Sequence, residues 1–531
     1  MKKVRLFFSA SMLISSALFS QTLNDAIKQT TNEQFEPAEA TFKSLVQSNP
    51  TSGEIYFYYG ENFFRNDKKD QAAPLYNKAV EVNATSPFGY IGQGKILWEQ
   101  GKQTEAKASF YKAQTLSSNK NATVLMKIAE EYINAEQKNL VDAFTLLDLA
   151  AKLEPKNPEV FVLMGDAFLE QNNGNKAIEN YEKAAALDPK SVRATLKQGQ
   201  LWNRSRNYEK ALEFYKKAKL IDSSFAPAYR ELAEIYFRAG QYKTASAQYK
   251  RYLELNPNCS AKARYAGFLE EAKQYAESVE AAKEALKCDS NNVFLYRYLA
   301  FDYYFLKNYE DGMKASKKYF AKKTPDVKEI PQDYEYRGKF YAQTGSDSLA
   351  IIDFKKAMEM DTTRKELNND IAGIYMKLKK FKEAIEIYQR KIKAGKGNVN
   401  DSLAIGRAYY YSKDYVNADT TFADVIRLRP SFYQGYLWRA KTNVQMDPDP
   451  KTSGKWAAKS YYEGFIAKLK PEDTEKQKTF IIEAYNYLGF YNLNKKEYCT
   501  AKSFFLLVFN LDQTNATAKK ILDSPESKKC Q

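Results

Sequence analysis

The sequence predicts an all-α chain of stacked helical hairpins, and three observations carry that prediction. Small residues return with a period near 34 along almost the whole chain, apolar residues fill the gaps at helical spacing, and proline or glycine punctuates the segments. The unit is clearest from Pro158 to Ser191, PEVFVLMGDAFLEQNNGNKAIENYEKAAALDPKS. Gly165 is followed twelve residues on by Ala177, seven further by Ala184 and five further by Pro189. A first helix is expected from Glu159 to about Gln171, the polar run NNGN makes a turn, and a second helix runs from Lys176 to Leu187 before Asp188 and Pro189 stop it. Gly165 and Ala177 are expected to face each other, because helix axes approach closely only where neither side is bulky. One hairpin cannot bury both of its faces, so it needs neighbours.

Taken in order, a degenerate copy at Ala26 and Ala38 precedes Gly60, Ala72, Ala79, then Gly94, Ala106, Ala113, then Ala129, Ala143, Ala150 with a longer turn. After the clearest unit come Gly199, Ala211, Ala218; Ala233, Ala245, Tyr252; and the weaker Ala266, Ser278, Ala285. The second half continues through Ala300, Gly312, Tyr319; Gly338, Ala350, Ala357; Ala372, Ala384; Gly406, Ala418, Val425; Ala440, Ala457 with an enlarged turn; and Gly489, Ala501, Val508. About fourteen copies result. This spacing of small residues closed by proline resembles the tetratricopeptide repeat (TPR) of exported bacterial proteins, over about Thr22 to Leu522. The resemblance implies an α-solenoid coiled into a right-handed superhelix, with the first helix of each pair lining a concave groove. It also implies a role in binding other proteins, without chemistry.

The chain opens with a basic start at Lys2, Lys3 and Arg5, an apolar run from Leu6 to Phe19 and small residues after it, the pattern of a secretory signal over 1–20. That run is too short to span a bilayer. Export to the periplasm or beyond is expected, and loss of the three cations takes the formal charge from +16 to +13. An exported chain lets its four cysteines pair. Cys259 opens the first helix of a pair and Cys288 closes its second, so an antiparallel hairpin brings them together. Cys499 starts the last pair's second helix, and Cys530 follows a final helix, Ala516 to Leu522, that runs back towards it. The expected bridges are Cys259 with Cys288 and Cys499 with Cys530.

Interruptions divide the array. The run 324–331 carries two prolines and is the expected hinge between an N-terminal array, 21–323, and a C-terminal array, 332–512, with a capping helix and tail over 513–531. The segment KPEDTEKQK, 470–478, is expected to separate the last two pairs.

Histidine is absent, which removes Ser/His/Asp and Cys/His nucleophile systems and histidine metal sites. The phosphate-loop imitation at Gly89–Ile96, GYIGQGKI, ends in an isoleucine where a hydroxyl should hold magnesium, and Gly94 is a packing residue of its repeat. No enzyme activity, metal or cofactor is expected. Basic residues are interleaved with 65 acids, which with export argues against nucleic acid as partner.

Function is therefore expected in the groove. Arg193, Lys197, Gln200, Asn203 and Arg204, with Arg230 and Arg238 from the next pair, project a basic wall suited to an acidic peptide segment. Phe294, Arg297, Tyr298, Phe301, Tyr304 and Phe305, then Tyr410, Tyr411, Trp438, Tyr487 and Phe490, project an aromatic wall, since rings combine contact area with little rotamer entropy. The function expected is a non-catalytic scaffold for envelope proteins. A carbohydrate or cell-wall binder using the aromatic groove is the alternative.

Overall fold

The structure, a computed structural model, describes residues Thr22 to Cys530. The signal segment expected over 1–20 lies outside the described residues. Among the described residues there are 31 α-helices, one short 3-10 turn and no strand. They form fourteen hairpins, one for each copy of the repeat, so the fold is an all-α solenoid of the TPR kind.

Local chemistry sets each hairpin. In the clearest unit the helices are Pro158–Glu170 and Gly174–Leu187. Proline occupies the first turn, where its missing N–H costs nothing, and the Asn157 side chain accepts from the Glu159 N–H at 3.0 Å. The Asn173 side chain caps the second helix by accepting from the Lys176 N–H at 3.1 Å. Between them Asn172 sits at φ +59°, and the equivalent turn residue is left-handed in most pairs, with glycine at Gly101, Gly240 and Gly345.

The atoms nearest Gly165 belong to the ring of Tyr181, not to Ala177. A Cβ on Gly165 would stand 2.4 Å from the ring of Tyr181, which is fully buried and donates its hydroxyl to Asp166 at 2.7 Å. The glycine makes room for a ring sixteen residues later, and the same pairing recurs as Gly60 with Tyr76, Gly94 with Phe110, Gly199 with Tyr215, Gly338 with Phe354, Gly406 with Phe422 and Gly489 with Phe505. Thus the small residue of the first helix is a socket for an aromatic knob of the second.

Two more local results follow. The segment 470–478 does not stay a spacer: a 3-10 turn, Pro471–Asp473, leads into a 21-residue helix, Thr474–Asn494. Its acidic residues Glu472, Asp473 and Glu475 stand at the positive end of that helix, where negative charge favours helix formation. Cys259 and Cys288 are disulfide-bonded with Cα atoms 5.7 Å apart, and Cys499 and Cys530 with Cα atoms 5.3 Å apart.

Contacts divide the chain into two compact units. Unit 1 holds the chain up to Asn308 together with Lys318–Lys322, and unit 2 holds Tyr309–Lys317 together with the chain from Lys323 on.

Candidate partner-binding walls

Unit 1 closes on itself. The turn after the first helix, Leu23–Thr31, meets the start of the seventh pair's first helix, Ala226–Arg238. The Ala226 N–H donates to the Asn32 carbonyl at 3.3 Å, the Asn32 amide donates to Ser224 at 3.0 Å, and Lys28 pairs with Asp222 at 3.1 Å. One Arg230 nitrogen donates to both Glu33 oxygens, at 2.5 and 2.6 Å, and the Tyr252 hydroxyl donates to Glu33 at 3.1 Å. A lumen of about 370 Å³ lies inside this closure, lined from all seven first helices and their flanking turns.

The lumen is charge-balanced, with five carboxylates, Glu33, Glu61, Glu130, Glu131 and Asp166, facing five cations, Arg65, Lys95, Arg193, Lys197 and Arg230. Lys95 donates to Glu61 at 2.6 Å, and the Tyr76 hydroxyl donates to the same oxygen at 2.6 Å. Burial pushes the Glu61 carboxyl up, but Lys95, Lys127 and Arg65 outweigh it and hold it below its ordinary value. Glu130 is pulled well below the carboxylate range in the same contest, by Lys127 at 2.7 Å, Arg65 at 2.8 Å and Arg193 at 3.4 Å. Glu131 goes the other way. Burial, with Glu61, Glu99 and Glu130 nearby, pushes it up to about 7 against the pull of Lys95.

The expected basic wall is therefore corrected. Arg193 is paired with Glu159, Lys197 with Asp166 at 2.9 Å and Arg230 with Glu33, while Gln200 donates to Glu231 at 3.0 Å. Arg204 and Arg238 are exposed and bond to neutral partners: Arg204 donates to Asn172 at 2.7 Å, and Arg238 to Asn203 at 3.3 Å. Glu159 stands one 34-residue period before Arg193, and Glu61 one period before Lys95, so the same register places the balancing acids.

The aromatic wall is corrected in part. In unit 1, Arg297 and Phe301 are buried, because Arg297 turns into its own hairpin to donate to the Tyr319 hydroxyl and lie over that ring at 4.8 Å. Tyr298 and Tyr304 are half-buried. Phe294 and Phe305 are exposed, with Phe305 stacked on Tyr275 at 4.4 Å. In unit 2, Tyr487 packs on Trp456 and Tyr462, and Phe490 on Phe505, so both serve the interior of the last pairs. Tyr410, Tyr411 and Trp438 do assemble: Trp438 lies 5.4 Å from Tyr410 and 5.8 Å from Tyr411. Two residues not singled out in the sequence complete the cluster, Phe381 stacked on Tyr411 at 6.3 Å and Arg407 over the Trp438 ring at 4.9 Å.

Family profiles described as tetratricopeptide repeat match residues 31–89 and 162–227, 203–270, and 89–120 and 366–394. The C-terminal part of a TPR repeat-containing protein from Cytophaga hutchinsonii is 34% identical, over 49% of this chain and 99% of that one, with a TM-score of 0.43. The chain belongs to the tetratricopeptide repeat family. Other similar solved structures are a TPR protein from Parabacteroides merdae, 21% identical over 48% of this chain and 98% of its own with a TM-score of 0.30, and a thermophilic TPR protein from Thermus thermophilus, 18% identical over 35% and 99% with a TM-score of 0.30. No curated protein matches the sequence.

As a TPR protein the chain is a protein-interaction scaffold of a fold that is typically non-catalytic. No helix among the described residues is long and apolar enough to cross a membrane. The TPR register also equates positions between the units. Arg407 follows Gly406 as Glu61 follows Gly60, Tyr411 stands five past its glycine as Arg65 does, and Trp438 stands two before Ala440 as Lys197 stands two before Gly199. Glu61, Phe64, Arg65 and Lys197 line the lumen of unit 1, so Arg407, Tyr410, Tyr411 and Trp438 occupy the repeat's inner-wall positions, with Phe381 at the start of a neighbouring second helix.

Proposed function

We propose that this TPR protein is a non-catalytic scaffold of the cell envelope, exported by the segment 1–20, which holds partner proteins on the inner wall of unit 2. The recognition surface is Phe381, Arg407, Tyr410, Tyr411 and Trp438, and the segment it takes carries an acidic side chain beside an apolar one. One observation carries this reading: the exposed Arg407 guanidinium lies on Trp438 with no carboxylate paired to it among the described residues. A cation on an aromatic face beside tyrosines has the composition of an interface anchor. The acidic peptide expected from the sequence moves with it, from the charge-balanced lumen of unit 1 to Arg407.

A photo-reactive residue placed at Tyr411 and irradiated in envelope extract tests this. A discrete protein adduct is expected, lost in Trp438→Ala and in Arg407→Glu, and absent when the probe sits at exposed Leu349 on a second helix. Retention on insoluble wall material with no protein adduct would favour the carbohydrate reading and overturn this one.

A further inference from the structure

The lumen of unit 1 has a defined deficit. Each of its five cations is matched by a carboxylate or lies among several, yet two buried acceptor atoms have no hydrogen-bond partner, Glu61 Oε2 and Glu131 Oε1. Glu61 is 2% exposed and Glu131 4% exposed, and both line the lumen. Buried carboxylate oxygens are rarely left without donors, because the desolvation they suffer is then uncompensated. What the lumen lacks is a donor. That is the opposite of what its arginines and lysines suggest when counted alone.

We propose that the lumen of unit 1 binds an organic ammonium group, that of a small diamine or of a lysine side chain, with its N–H groups donated to Glu61 Oε2 and Glu131 Oε1. An ammonium carries three donors and no acceptor, which fits two buried carboxylate oxygens that have no donor of their own. An anionic ligand would have to displace Glu33, Asp166 or Glu130 from cations they already hold at 2.5 to 2.9 Å. The lumen also supplies apolar lining, Phe64 and Leu196, for the methylene chain that such an amine carries. Its volume of about 370 Å³ admits one lysyl residue or a five-carbon diamine and no folded element. Burial and the neighbouring carboxylates push Glu131 up to about 7, an electrostatic load that an incoming ammonium relieves. The site goes beyond the partner wall proposed for unit 2 and does not depend on it.

Calorimetric titration of the full chain at pH 8 tests the inference with four probes: 1,5-diaminopentane, an acetyl-Gly-Lys-Gly-amide peptide, its ε-N-acetyl twin, and acetyl-Gly-Glu-Gly-amide. Binding of the diamine, the lysine peptide or both is expected, and which of the two binds tells whether the source is a free amine or a partner's side chain. The acetylated and acidic peptides should be at least tenfold weaker. Glu61→Gln also loses the charge that holds Lys95, so Glu131→Gln is the decisive variant: it should weaken amine binding at least tenfold with an unchanged thermal melt. No heat with either amine at millimolar concentration, tighter binding of the acidic peptide, or indifference to Glu131→Gln would overturn the proposal.

Discussion

Asp302 shows how a single residue can set the pH response of this fold. Its side chain is fully buried, and neither carboxylate oxygen has a hydrogen-bond partner in the structure. Burial, with Glu270 nearby and only the Ser278 hydroxyl opposing, pushes its pKa up to about 8. An unfolded aspartate titrates near 4, so between about pH 4 and 8 the folded chain keeps a proton that the unfolded chain releases. Stability therefore falls as pH rises through that window, by up to about 1.4 kcal/mol per pH unit for this group, and the penalty stops growing above pH 8. Glu270, pushed up to about 7 by burial and by Glu271, adds a slope of the same sign. Asp302→Asn mimics the protonated form. It should leave the melting temperature near pH 4 almost unchanged and raise it progressively up to pH 8, and a variant with the wild-type slope would show that Asp302 titrates normally.

At the scale of the element, the short first helix, Leu23–Thr31, depends on unit 1 closing on itself. Its own resources are a capping box between Thr22 and Asp25 and two buried residues, Ala26 and Thr30, too little for nine residues to stay helical alone. The partly buried pair of Glu33 with Arg230 ties its end to the seventh hairpin, across 197 residues of sequence. Glu33→Gln should cost roughly 1 kcal/mol locally, read as about fivefold faster amide exchange in 23–31 with no change in the hairpin at 158–187. The hairpins themselves were legible in the sequence: Glu159 to Gln171 was expected and Pro158–Glu170 is found, and the last full helix runs from Ala516 to Leu522 as expected. Period and capping residues are local signals, and they survive folding. The closure was not legible, because nothing near Asn32 or Glu33 announces a partner two hundred residues away. Half of the lumen could have been read: a 34-residue step from Arg193 reaches Glu159, and from Lys95 reaches Glu61, whereas Arg297 turning inward to Tyr319 follows from a side-chain rotamer that no spacing encodes.

For the whole molecule the question is whether fourteen hairpins behave as one cooperative array or as two. Stability in a stacked-repeat protein sums the terms of each repeat and its neighbours, so an array parts where neighbouring terms are weakest. Here the contacts fall into two units, and residues 323–330 belong to no helix. That run carries Pro325 and ends against Pro331, its Thr324, Pro325, Asp326 and Lys328 are exposed, and the adjoining Lys322 is exposed as well. A turn within a hairpin is pinned by contrast: the one at 171–173 returns the Asn172 and Asn173 N–H groups to carbonyls of the preceding helix at 3.0 and 2.9 Å. Brief trypsin treatment should therefore cut first at Lys322, Lys323 or Lys328, giving two fragments that match arrays of 21–323 and 332–512 with its tail, each keeping its helical circular dichroism. If the solenoid is instead one cooperative array, the first products will be a ladder of fragments stepping by about 34 residues, cut at the turns of many hairpins at similar rates.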